Sequence, residues 1–205
     1  MINFTAEDNA LKSTTMIYRA VNFLAQQLNE HLAITNANLP ADFTQLRNVA
    51  HLSDEEVRGL NNVLVTLLSV SEDNVLKNAT DNLRGSISSK TAPKYFNLYV
   101  LFASCNYQSY PDSLKVLSQM VDFFEKNPIL THSADTGQED SLPGFRLNVD
   151  SYAPGFEENN NMWTTMGGKQ YPHMLYRVRL VEIPKPVTGQ KMGVIKQFEL
   201  KDRLS

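Results

Sequence analysis

Residues Lys94–Ser104 read KYFNLYVLFAS. Phe96, Leu98, Val100 and Phe102 point to one side of an extended chain; Tyr95, Tyr99, Leu101 and Ala103 point to the other. A strand with one wet face alternates apolar and polar residues more cleanly. The stretch is therefore predicted to be a central strand covered on both sides. Downstream, Asp112–Lys126 carries Leu114, Leu117, Val121 and Phe124 at three- and four-residue spacing, one stripe of a helix facing a core. Asn127-Pro128 stops that helix, because proline cannot continue the hydrogen-bond ladder.

Upstream, Val63–Val70 (VLVTLLSV) reads as a second buried strand. The polar stretch Glu72–Pro93 separates the two and shows no crossover helix, so they are predicted to pair antiparallel as a long-looped hairpin. Compact domains seldom keep such loops without a use for them. A helix is predicted from Thr14 or Thr15 to about Leu32, with Ile17, Val21, Leu24 and Leu28 as its stripe and Ala20 and Ala25 beside it. Arg19, Gln26, Asn29 and Glu30 are expected to face water. The polar face is too poor in cations for a membrane-surface helix, so core packing is the reading. Residues 33–61 are predicted irregular apart from a short helix after Ser53, where Glu56 three residues on completes a capping signature.

After the second helix, residues 131–143 read as a polar loop. Phe145, Leu147 and Val149 alternate with Arg146, Asn148 and Asp150, a half-exposed strand. A short helix is predicted over Gly155–Gly167, with Phe156, Trp163 and Met166 roughly on one side and Gly167-Gly168 at its end. His173–Ile183 is the last core strand: Met174, Tyr176, Val178 and Leu180 on one face, Leu175, Arg177, Arg179, Val181 and Ile183 on the other. From Pro184 the chain becomes a linker with two prolines and two glycines. It leads to VIKQFEL, a lone strand with Val194, Phe198 and Leu200 on one face. The fold class is thus α+β: a mostly antiparallel or mixed sheet of about four strands with flanking helices, plus an extended C-terminal arm. We divide the chain into an N-terminal arm (1–13), the α+β domain (14–183) and a linker with C-terminal arm (184–205).

The 205 residues are 42% hydrophobic and 20% charged, with net charge −3, which fits one folded domain and argues against wholesale disorder. No basic run marks a nucleic-acid binder. No segment approaches membrane-spanning length, and MINFTAEDNALKS lacks the basic-then-apolar pattern of a secretory signal, so cytoplasmic synthesis is expected. The single cysteine, Cys105, ends the apolar strand and reads as a small buried residue. His31, His51, His132 and His173 have no partner ligand at metal-site spacing. No nucleophile elbow, phosphate loop or dinucleotide fingerprint is present. Neither an enzyme nor a cofactor is expected. Trp163 reads as the anchor of its short helix or as an exposed interface residue. Arg177 and Arg179 are a solvated or cross-strand-paired face, or a subunit contact.

Several blocks resemble one family. FLAQQLNEHL (23–32), NVLVTLLSVSED (62–73), the long block 93–132 ending FFEKNPILTH, and NNMWTTMGGKQYPHMLYRVRLVEI (160–183) occur in the order seen in cap, or tail-terminator, proteins of contractile injection systems, the phage-tail-like particles of bacteria. The resemblance spans about residues 16–183. It implies a sheet with flanking helices and a structural role: a six-fold ring of identical subunits that ends the inner tube and gives the sheath its last attachment. Its partners would be other copies of itself, inner-tube protein and sheath protein, in a particle assembled in the bacterial cytoplasm, with no specific nucleic-acid ligand and no direct membrane insertion. A cargo-loading adaptor or a phage tail-completion protein of the same fold is the alternative. A closed ring needs two different patches per subunit. Our candidates for subunit or tube contacts are the loop Glu72–Pro93, with Arg84 and Lys90, and the Arg177/Arg179 face. The arm, through Val194, Phe198 and Leu200, adds a strand either to sheath or to its own sheet.

Overall fold

The computed structural model describes residues 6–36, 39–73, 95–133 and 143–183. Among these, six strands form one sheet: β1 (Thr44–Leu46), β2 (Asn61–Glu72), β3 (Tyr95–Asn106), β4 (Ile129–His132), β5 (Gly144–Tyr152) and β6 (His173–Ile183). Their order is β1-β2-β3-β6-β5-β4, so β3 is interior. β2 pairs antiparallel with β3, as the hairpin reading expects, setting Val65 opposite Phe102. β1 joins β2 in parallel, which makes the sheet mixed.

Both faces of β3 are covered, by different parts of the chain. On the first face, Leu98, Val100 and Phe102 meet α1 (Ala6–Thr35) and α3 (Tyr110–Lys126). Met16, Ala20, Val21, Leu24, Ala25, Leu28 and Leu32 of α1 are buried there, and Phe102 sits 5.0 Å edge-on from Phe124. On the second face, Leu101, Ala103 and Cys105 meet Val49 of a 3-10 turn (Val49–His51), Val57 of α2 (Asp54–Arg58) and Trp163 of α4 (Phe156–Thr165). The bulge between Leu67 and Ser69 in β2 shifts the register so that Ser69 and Ser71 lie opposite Tyr99 and Asn97, on the second face.

The sheet has six strands rather than four because β1 and β4 are three and four residues long. A period of two cannot be recognised over so few residues. β4 occupies the start of the segment read as the loop 131–143. The first helix begins at Ala6, so it takes in part of the stretch read as an N-terminal arm; Ala6–Ser13 contains no proline or glycine to stop a helix that α1 has already nucleated. Arg19 does not simply face water: it donates to the Pro143 carbonyl at 3.1 Å and lies 5.6 Å over the Phe145 ring. In α3 the buried stripe is Ser113, Met120, Phe123 and Phe124, with Val116 and Leu117 partly covered, and Leu114 is 41% exposed. The stripe is rotated from the predicted one because Ser113 turns inward to accept the Asn106 backbone N–H at 3.0 Å. Phe156 is 90% exposed; seven residues put it on the same side of α4 as Trp163 but two turns away, at the helix start. The capping box predicted at Ser53 and Glu56 is present.

Phe102→Ala is expected to cost about 3–5 kcal/mol through cavity formation. Leu114→Ala is expected to change stability by no more than about 0.5 kcal/mol. Urea denaturation of both variants tests the rotated stripe, and equal losses would overturn it.

Candidate functional site

The second face of the sheet is divided along the strands. Near Cys105 it is apolar and roofed by α2, the 3-10 turn and α4. Toward the start of β3 it is polar. The strand register sets Ser71, Asn97, Arg179 and Asn148 in one row across β2, β3, β6 and β5, and Ser69, Tyr99, Arg177 and Asp150 in the next. A third row holds Tyr95, Val181 and Arg146.

Arg177 and Arg179 therefore share one face, as the alternation of β6 requires. Each has a carboxylate partner. Arg177 Nη2 donates to Asp150 Oδ2 at 3.3 Å across the β6–β5 pair. Arg179 Nε donates to Asp73 Oδ2 at 3.2 Å, just past the end of β2. The first pair is well exposed and the second half-buried, with Asp73 largely covered. Tyr99 meets Tyr152 edge-on at 5.3 Å. The pairing leaves polar capacity unused: Asn97 Oδ1, Asn148 Oδ1 and Arg177 Nε are buried with no hydrogen-bond partner among the described residues. Buried polar atoms are nearly always satisfied, so these three set this face apart from the rest of the sheet. Sequence reading missed Asn97, Asn148, Asp73 and Asp150. The available signal was Asn97 itself, a carboxamide inside the aromatic and aliphatic run Tyr95–Ala103.

Antiparallel pairing brings the ends of β2, β4 and β6 and the starts of β3 and β5 to one end of the sheet. The segments 74–94, 134–142 and 184–205 attach at that end. Arg84, Lys90, Val194, Phe198 and Leu200 belong to them and lie outside the described residues.

The apolar half of the face has a different character. Cys105 is buried, and burial pushes its thiol up to about 12, so it is a core residue with no thiolate at neutral pH. Trp163 is 2% exposed and anchors α4. Gly167 and Gly168, both at positive φ, end that helix, and the Gly168 N–H donates to the Trp163 carbonyl at 2.8 Å. Lys169 pairs with Asp54, tying the turn to α2 and holding that carboxyl below its usual range. Among the described residues, no group of three or more acidic, histidine or cysteine side chains is arranged to hold a metal, and no helix is long and apolar enough to cross a membrane.

The sequence pattern of the Pvc16 N-terminal domain family matches residues 20–197. This chain belongs to that family. The match takes in α1 from its second half, all six strands and part of the segment beyond Ile183. No curated protein matches the chain. A solved structure described as the PVC sheath/tube terminator of an extracellular contractile injection system, in its extended state, is similar at 16% identity with a TM-score of 0.45. The alignment covers 87% of this chain and 64% of that one, so the chain spans less than two thirds of that protein's length.

Asp73→Ala is expected to cost about 1–3 kcal/mol, because it removes the carboxylate from a half-buried guanidinium. Asp150→Ala is expected to cost less than about 1 kcal/mol, as exposed pairs do. Thermal melting of the two variants gives the comparison; the reverse ranking would show that the Arg177 pair carries the face.

Proposed function

We propose that this chain is a structural cap of a contractile injection particle, ending the inner tube and holding the last layer of sheath. The family match over residues 20–197 carries this reading. The ordered sequence blocks point the same way. The role asks for surfaces rather than a reaction centre, and the polar sheet face is the candidate: among the described residues Arg177 Nε and the amide oxygens of Asn97 and Asn148 have no partner.

In this reading the subunits close into a ring, joined head to tail through two unlike patches. The row Asn97–Arg179–Asn148 and the neighbouring Arg177 form one patch. The loop carrying Arg84 and Lys90 leaves from the same end of the sheet and supplies contacts to the neighbouring subunit or to the tube. Residues 184–205 serve as the arm, with Val194, Phe198 and Leu200 as its candidate contacts to sheath. An extended segment at a sheet edge gains affinity from main-chain hydrogen bonds and specificity from alternate side chains.

Electron microscopy of particles from a strain lacking this protein tests the role. Tubes of irregular or excessive length, with sheath absent or slipping, are expected. Particles of normal length with intact sheath but no cargo would overturn the reading in favour of a loading adaptor. Removing residues 184–205 is expected to leave the melting temperature unchanged, since β6 ends at Ile183, and to weaken sheath attachment. A truncated chain that no longer folds would show that the arm pairs within its own sheet.

A further inference from the structure

Trp163 and His173 form a contact whose chemistry depends on one proton. His173 Nδ1 lies 2.8 Å from the Tyr171 carbonyl oxygen, which can only accept, so Nδ1 carries the hydrogen. The neutral ring then has a bare Nε2, and Trp163 Nε1–H donates to it at 3.3 Å. The rings meet edge-on at 4.9 Å. Asn159, four residues before Trp163 on α4, places its amide oxygen Oδ1 2.9 Å from the same Nε2. A carboxamide can turn either its NH2 or its oxygen toward a neighbour, so Asn159 can serve both protonation states. The indole cannot: it is a donor only.

From this we infer that His173 is an acid-sensitive latch for α4. Neutral, it accepts the Trp163 N–H and holds the helix over the second face of the sheet. Protonated at Nε2, it becomes a donor there, turns its bond to the Asn159 oxygen, and opposes the Trp163 N–H, which is left in an apolar cluster with no acceptor. The consequence is release of α4 and its glycine turn and uncovering of Leu101, Cys105 and Leu175. The fold is suited to such a release. The roof over this half of the face is short helices and a turn, whereas the first face is held by the long helices α1 and α3.

The linkage runs in the acid direction. Burial is the main influence on His173 and holds its pKa below the ordinary 6.5, partly offset by the bond to the Tyr171 carbonyl. The unfolded or released chain takes up the proton more readily than the latched one. The latch is therefore fully set above pH 6.5 and weakens as pH falls below it. The neighbours whose pKa the fold displaces keep their charge between pH 7.5 and 5. Tyr171 and Cys105 of β3 are pushed upward by burial and stay neutral. Asp54 is held low by Lys169 and stays ionised. Glu157 and Glu158 in the first turn of α4, and Glu55, Glu56 and Arg58 on α2, are exposed. His51 of the 3-10 turn is exposed and makes none of the contacts described.

Trp163 is the only tryptophan and Cys105 the only cysteine, so the full chain reports on itself. Intrinsic fluorescence and labelling by 4,4′-dithiodipyridine, which reacts with thiols across this range, are followed from pH 7.5 to 5. The emission is expected to shift to the red and the labelling rate to rise about tenfold, following the protonated fraction, with far-UV circular dichroism nearly unchanged. His173→Gln, whose amide oxygen accepts the indole N–H and cannot be protonated, is expected to abolish both changes; His51→Gln is expected to leave them. A flat wild type, or a transition that survives in His173→Gln, overturns the latch. Nitrogen-15 shifts of the wild-type ring test it without any variant: at pH 7.5 Nδ1 is expected to be protonated and Nε2 bare, and the opposite tautomer also overturns it.

Discussion

The double burial of β3 is the constraint from which the rest of the structure follows. A strand apolar on one face needs one covering layer; β3 needs two, and each must come from a different part of the chain. The first is supplied by α1 and α3, which put Leu24, Leu28, Met120 and Phe124 against Leu98, Val100 and Phe102. The second is supplied by the segment before β2 and the segment before β6, which put Val49, Val57 and Trp163 against Leu101, Ala103 and Cys105. Each deeply buried side chain removes apolar surface from water at about 25 cal/mol per Å². Neither layer can be lost without exposing one apolar face of the same strand.

The two layers are unequal, and that inequality places the functional features. Two long helices run along the first face. The second face is roofed only near Cys105, which leaves the opposite end of the sheet polar. There the outward residues of β6 change from Leu175 to Arg177 and Arg179, those of β3 from Leu101 to Tyr99 and Asn97, and those of β5 from Tyr152 to Asp150 and Asn148. Three strands change character at the same level. An isolated polar residue on a strand is ordinary surface; aligned polar rows, with buried atoms unpaired among the described residues, distinguish this face and are what the proposed assembly role draws on. The end of the sheet where the loops and the C-terminal segment attach borders this face, so an assembly role can use them together.

Much of this was legible in the residues. The parity of KYFNLYVLFAS announced a covered central strand, the alternation of HMLYRVRLVEI put Arg177 and Arg179 on one face, and Ser53 with Glu56 announced a capped helix. Trp163 was readable as an anchor because a lone indole beside a glycine pair has a natural place under a helix end. The failures have physical causes. Leu114 has the right spacing for the α3 stripe, but Ser113, hydrogen-bonded to the β3 end, fixes the helix rotation and turns Leu114 outward. β1 and β4 are too short to show a period, and exist because neighbouring strands offer them a ladder. Arg19 reads as solvent-facing until the distant Pro143 carbonyl and Phe145 ring are brought beside it.

By itself the sequence determined the α+β class, the central strand, the hairpin, the family resemblance and the sidedness of β6. These depend on periodicity within one segment, or on the order of segments, and both are written along the chain. Only the tertiary structure decided which carboxylate faces which arginine, that Asn97 and Asn148 flank Arg179, and that Trp163 finds its acceptor in His173. Those are distances between residues set by strand register and helix rotation, and register is fixed by the burial of whole faces at once rather than by any local run of residues.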